Sequence, residues 1–339
     1  MTFLQIFWFI IIGVLFTGFF FLEGFDYGVG ITSLLVAKDE REVDQSIAAI
    51  GPFWDGNEVW LLTAGGAMFA SMPYWYASLF SGYYIILFLI LAGLIVRGVT
   101  FEFRHRAMSD GQKKFWTKAL GVSSLIVPFL FGLMFTSFIQ GMPMDAHGNI
   151  WGHLFDYVNL LSLVGGVAVL LLCFLHGLNY IQLKVDGPLR ARARDWANVL
   201  YFVLYAGEVV FAVLLFIFTD FFKTQTIDGV AKNGVLTVIL LAVIVGLSVV
   251  AHFAGRAKKE MLAFLASGVT FAALVALLFQ GIFPRVMIAR DASHDILIRH
   301  AASTQYTLTA MTIVALCILP FVLAYVAWTY FIFRKRIAK

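Results

Sequence analysis

Two carboxylates, Glu23 and Asp26, stand three residues apart in LEGFDYGVG (22–30), inside an otherwise apolar run. That spacing puts them on one helix face. A second acidic pair with the same spacing, Asp55 and Glu58, lies in WDGNEVW (54–60), and RGVTFEFRHR (97–106) adds Arg97 and Glu102. Glu208 is a lone acid in a further apolar block. Carboxyl groups sheltered from water can take up and hand on protons, and an arginine among them supplies a fixed countercharge. A charge at mid-bilayer costs about 2.5–3.5 kcal/mol, so an acid kept at that depth is a functional candidate by default. An ion-pair network that only fixes helix packing would use the same residues, and Glu208 can equally be a neutral acid bonded to a neighbour.

Other chemistries find no residues to carry them. Of the seven histidines, His147, His153, His294 and His300 fall in stretches expected outside the membrane and His105 in an internal basic loop. His176 and His252 lie in or near helices, yet no HxxxH, HExxH or CxxCH occurs, so a redox centre held by this chain alone is not expected. Cys173 and Cys317 sit in apolar blocks and form no CxxC site. There is no GxxxxGK[ST], and the glycines at 24, 28 and 30 do not make a dinucleotide fingerprint.

The elements that must position these acids are membrane helices. Of the 339 residues 61% are hydrophobic and only 13% charged, and the mean hydropathy is +0.89. A soluble domain carries about 25% charged residues, so an all-α polytopic membrane protein is the expected class. The first basic residue is Lys38, which makes the N-terminal apolar segment a retained helix rather than a cleaved signal. Apolar blocks of at least about 20 residues predict nine spans, at roughly 6–36, 56–74, 77–100, 115–139, 155–182, 196–220, 234–254, 260–283 and 306–333. With the N-terminus outside, all but five of the 24 Lys and Arg fall on the cytoplasmic side; the five are Lys223, Lys232, Arg285, Arg290 and Arg299. The positive-inside bias therefore predicts N-out and C-in, with Trp75, Trp116, Trp151, Trp328 and Tyr330 as an interfacial belt. The net charge of +4 is explained by these loops and does not call for nucleic acid.

FLEGFDY (21–27) is echoed by FLHGLNY (174–180), with four of seven positions identical. The echo predicts two tandem four-helix units, 1–140 and 141–285, followed over 286–339 by an external loop, a peripheral ninth helix and a basic tail. In that topology Asp26, Asp55, Glu58, Arg97 and Glu102 all fall towards the cytoplasmic ends of the first three spans. They are expected to meet in one pocket there, with Glu208 apart, near mid-membrane in the sixth span.

LEGFDYGVG followed by IGPFWDGNEVWLLTAGGAMFASMP, then VRGVTFEFRHR, and finally FPRVM with YTLTAMTIVALCILPFVLAYVAWTYFIFR, resembles the second subunit of cytochrome bd-type quinol oxidases. These stretches cover most of 1–110 and 280–334. The resemblance implies a bacterial cytoplasmic-membrane complex that oxidises quinol and reduces dioxygen to water. It places two haems b and one haem d in a partner, subunit I, with no cofactor or metal bound by this chain, and leaves room for a small accessory single-helix subunit. Carried over, Asp26 matches the family acid associated with a proton route, Asp55 the acid of WDGN, and Arg97 and Glu102 the boundary Arg and acid. Trp60 matches a position linked in some members to a dioxygen passage. Some members have Gln where this chain has Glu58, and many have a Pro-Ser pair where IARD follows FPRVM. A secondary transporter using intramembrane carboxylates fits the same span count and repeat.

Overall fold

The structure is a computed structural model that describes residues 1–337. Its helices are α1 (Phe3–Leu35), α2 (Glu40–Ile50), α3 (Trp54–Ser71), α4 (Pro73–Gly82), α5 (Tyr84–His105), α6 (Asp110–Ile139), α7 (Leu154–Tyr157), α8 (Leu160–Lys184), α9 (Pro188–Phe218), α10 (Val235–Arg256), α11 (Glu260–Ile282), α12 (Ile298–Ala301) and α13 (Gln305–Ile332). Two small antiparallel pairs interrupt them. One joins β1 (Gln225–Ile227) to β2 (Val230–Lys232), with Thr226 opposite Ala231; the other joins β3 (Arg285–Met287) to β4 (Ile296–Leu297), with Arg285 opposite Leu297.

Helix ends follow local chemistry. Thr2 and Gln5 form a capping box at α1, and the Asp39, Ser109 and Thr304 side chains accept from the first-turn N–H groups of α2, α6 and α13. Gly187, at φ +109°, turns the chain so that Pro188 can open α9 as its first residue.

Eight described helices are long and apolar enough to cross a membrane: α1, α5, α6, α8, α9, α10, α11 and α13. The expected second span is α3, a helix of 18 residues that carries Asp55, Asn57, Glu58 and three glycines and falls short on apolarity. The expected third span starts later than the sequence suggested. Pro73 opens a separate short helix, α4, and Tyr83 divides it from α5. Likewise the fifth expected span divides into α7 and α8.

α1, α6, α8 and α11 form the interior, and α13 lies at the periphery, where no residue of its most apolar window is buried. α13 is tied to α1 through Trp8, whose indole N–H donates to Thr312 Oγ1 at 3.1 Å and to Leu308 O at 3.3 Å. The two halves of the chain meet where α1 crosses α8. A Cβ on Gly28 would lie 2.1 Å from the Cys173 carbonyl oxygen, and one on Gly177 would lie 2.3 Å from the Gly28 carbonyl carbon. Backbone cannot yield as a side-chain tip can. Gly28→Leu is therefore expected to cost at least the about 1–3 kcal/mol of ordinary overpacking. In membranes expressing it, immunoblotting against this chain should show a severalfold loss; wild-type abundance would show that the crossing can absorb a large side chain.

The belt expected at the interface is only partly one. Trp151 and Trp328 are exposed, but Trp75 is buried against Phe9 and Phe279, and Tyr330 has a different task, described below.

Candidate functional site

Arg97, just over two turns before the end of α5, is fully buried, and so are Glu23 and Asp26 on α1. The guanidinium Nη1 donates to Glu23 and lies 3.8 Å from Glu58 Oε2, while Nη2 lies 4.0 Å from Asp26 Oδ2. Its central carbon sits 4.8 Å over the Tyr27 ring, a cation–π contact that suits a weakly hydrated arginine. Glu58, on the facing side of α3, keeps 24% of its side chain exposed and is the cluster's contact with the surroundings.

The second half of the site is uncharged. Asn57 Nδ2 donates to Asp26 Oδ2 at 2.8 Å and to Leu22 O at 3.3 Å, while the Tyr330 hydroxyl donates to Asn57 Oδ1 at 2.8 Å. Tyr330 is held by stacking on Phe53, with ring centroids 4.4 Å apart. A chain of hydrogen bonds thus runs from α13 through α3 to Asp26 on α1. Several polar atoms here have no hydrogen-bond partner among the described residues: Glu23 Oε2, Asp26 Oδ1, Tyr27 OH, Glu58 Oε2, and Arg97 Nε and Nη2. Buried polar groups are nearly always satisfied, so this concentration of open donors and acceptors sets the cluster apart from the rest of the core.

Asp26 lies nine residues before the end of α1 and Arg97 eight before the end of α5, which puts both roughly 12–14 Å from those helix ends. A second ionic group closes that end. Arg104 donates to Asp44 at 2.6 Å, Glu40 at 3.0 Å and Thr117 at 2.8 Å, and Lys113 reaches Asp44 at 3.2 Å. Burial works against an ionised Asp44, but the bonds from Arg104 and Lys113 outweigh it and hold the carboxyl below the usual range. Arg192 at the start of α9 pairs with Glu42 and bonds Val36 O at 3.2 Å, which stitches the second half of the chain to the first.

The structure gathers Glu23, Asp26, Glu58 and Arg97, but not the whole expected set. Asp55 points outward from α3 and is exposed, and Glu102 is exposed and pairs only with Arg106, one turn on, at 3.5 Å. Both lie on the outward faces of their helices, which a count of depth along each span cannot reveal. Glu208 stands apart, as expected: it accepts from Ser248 at 2.6 Å and lines an apolar cavity of about 1050 Å³. Trp60 is half-buried with its ring pressed on Gly18, where a Cβ would come within 2.2 Å.

The echo of the motif in α8 builds a neutral counterpart. His176 and Asn179, at the positions of Glu23 and Asp26, are fully buried. His176 is bonded through Nδ1 to Ser267 at 2.7 Å and through Nε2 to Phe21 O at 2.9 Å, while Asn179 donates to the Tyr201 hydroxyl at 2.9 Å. With both ring nitrogens engaged, His176 is a structural core histidine. His252 stacks on Tyr201 and bonds Tyr205 at 2.9 Å. Among the described residues no group of three or more His, Cys, Asp or Glu could hold a metal ion.

A helical multi-pass membrane protein with an arginine buried among three carboxyls is the class this geometry defines. Over residues 4–333 the sequence matches the family described as cytochrome bd terminal oxidase subunit II. It is 43% identical over 332 residues to cytochrome bd ubiquinol oxidase subunit 2 of Bacillus subtilis, covering 98% of this chain and 96% of that protein. It is 31% identical to cytochrome bd-I ubiquinol oxidase subunit 2 of Escherichia coli K12, covering 99% and 96%. Its fold is similar to that of a chain of the bd oxidase from Geobacillus thermodenitrificans, with a TM-score of 0.73 at 15% identity, over 98% of this chain and all of the other. The chain belongs to the cytochrome bd terminal oxidase subunit II family. That membership replaces the transporter reading of the same helices and acids.

Proposed function

We propose that this chain is the haem-free second subunit of a bacterial quinol:dioxygen oxidoreductase, and that its buried carboxyls pass protons from the cytoplasmic side towards a haem-bearing subunit I. The observation that carries this reading is the imbalance in the cluster: Glu23, Asp26 and Glu58 face one Arg97. A net negative charge so deep in protein and membrane is costly, and protons bound by the surplus carboxyls neutralise it. Glu23 stays paired with Arg97. Glu58, part exposed, takes up the proton, and Asp26, held in orientation by Asn57, hands it on. Arg97 positions the acids without titrating, and the Asn57–Tyr330 chain keeps Asp26 Oδ1 free for exchange.

Topology follows the same proposal. α3 with α4 and α5 completes nine spans arranged as two four-helix units and a peripheral α13, N-out and C-in. The units divide near 140 and 285. Subunit I covers the face made by α3, α5 and α13, because Asp55 and Glu58 cannot face lipid at low cost and α13 is otherwise bare. Asp55 then lies at the joint between subunits, Glu102 remains at the cytoplasmic rim, and Trp60 borders an apolar dioxygen route. Two haems b and one haem d reside in subunit I, where quinol is oxidised; a small single-helix subunit completes the assembly. Glu208 is a separate candidate for proton exchange in the second unit.

Purification through a tag on this chain tests the reading. A second large polypeptide with haem absorption and quinol-dependent dioxygen consumption should co-purify; a stable, colourless chain on its own would contradict it.

A further inference from the structure

A lateral groove runs along the seam where α1 packs on α11, and Leu236 at the start of α10 borders it. It encloses about 610 Å³ and is lined by Ile6, Ile10 and Thr17 of α1 and by Ala276 and Phe279 of α11. From Ile6 to Thr17 the groove follows eleven residues of helix, roughly 16 Å, or about half of a 30 Å hydrocarbon core. That is the reach of one leaflet. The β1–β2 hairpin borders one end of the groove, where Lys232 and the following Asn233 line its mouth.

Lys232 is the unusual element. Its ammonium donates to Gly281 O, and among the described residues no carboxylate oxygen lies within 4.0 Å of it. An ammonium has three donors, so two are left over. The nearest acids are already taken: Asp220 and Asp295 bind Arg285, at 2.8 and 3.3 Å, and Asp228 binds Arg299 at 2.9 Å. Burial, reinforced by Arg285, pulls the Lys232 ammonium down to about 8, against the opposing pull of Asp220 and Asp295, so it still carries its charge at neutral pH. A half-buried ammonium with donors to spare and no carboxylate in direct contact, at the head of a leaflet-deep apolar slot, is complementary to one kind of molecule.

We propose that this groove is a binding site for one anionic phospholipid, with an acyl chain between α1 and α11 and the phosphate on Lys232 and Asn233. The site does not depend on which side of the membrane the hairpin faces. It also lies away from the face assigned to subunit I: Ile6, Ile10, Gly13 and Thr17 share one stripe of α1, and Trp8, which holds α13, projects from the opposite one.

The test uses the whole complex, reconstituted into vesicles of equal phosphatidylglycerol and phosphatidylcholine, re-extracted, and analysed for retained lipid by native mass spectrometry. At least one phosphatidylglycerol per complex should remain, enriched fivefold or more over phosphatidylcholine. Lys232→Gln should bring that ratio close to one, Ala276→Trp should fill the slot and abolish retention, and Lys223→Gln should change nothing. Haem absorption of each preparation confirms that the complex is intact. Equal retention of the two lipids by the wild type, an unchanged ratio in Lys232→Gln, or a neutral isoprenoid held in the slot would overturn the proposal.

Discussion

Arg97→Leu is expected to remove the assembled complex from the membrane. The substitution leaves Glu23 and Asp26, both fully buried, without their cation. Breaking a buried pair in this one-sided way costs about 3–5 kcal/mol, a large part of the stability of any single chain. Abundance of this chain and the haem absorption of the membranes should both fall at least tenfold. Arg97→Lys should fall between, since an ammonium cannot reproduce the planar contacts to Glu23 and the Tyr27 ring. The informative companion is Arg97→Leu combined with Glu23→Leu. Removing both partners of a buried pair is far cheaper than removing one, so the double variant should regain much of the lost abundance. Failure of that recovery would mean that Arg97 acts through Asp26 and Glu58 more than through Glu23.

Asp26→Asn should behave in the opposite way, with assembly intact and turnover lost. An asparagine keeps the shape of the side chain and still offers an oxygen to Asn57 Nδ2, now 2.8 Å from Asp26 Oδ2, and Arg97 keeps Glu23. What disappears is a group that can take up and release a proton. Quinol-driven dioxygen consumption per haem should drop at least tenfold, about 1.4 kcal/mol on the barrier, while haem spectra remain those of the wild type. Glu102→Gln is the control: its exposed partner is Arg106, and turnover should change less than twofold. Full turnover in an assembled Asp26→Asn complex would leave the cluster a purely structural role.

Much of this site was legible in the sequence because intramembrane acids are expensive and therefore conspicuous. Glu23, Asp26, Glu58 and Arg97 stand out from their apolar surroundings, and depth along each span predicted that Asp26, Glu58 and Arg97 would meet, as their side chains do; Glu23 joins them from the turn before Asp26. Depth could not give azimuth. Asp55 and Glu102 lie at suitable heights but on outward faces, and α3 is too short and too mixed for its own pattern to orient it. Uncharged partners were harder still. Asn57 stands between two acids in WDGNEVW and reads as filler, and Tyr330 looks like an interfacial aromatic 273 positions away from the Asn57 it bonds. A signal for Asn57 was present in principle, since a buried amide needs partners as much as an acid does. Pro73 marked the start of α4, but the α4–α5 break left no signal, because Tyr83 carries no turn chemistry of its own.

The most direct test of the proton assignment follows uptake itself. The fully reduced complex, wild type or Asp26→Asn, is mixed with dioxygen in the presence of a pH indicator on the cytoplasmic side. Proton uptake and the oxidation step coupled to it should slow at least tenfold in the variant, with the initial binding of dioxygen unchanged. Uptake at the wild-type rate in an intact variant complex would contradict the account.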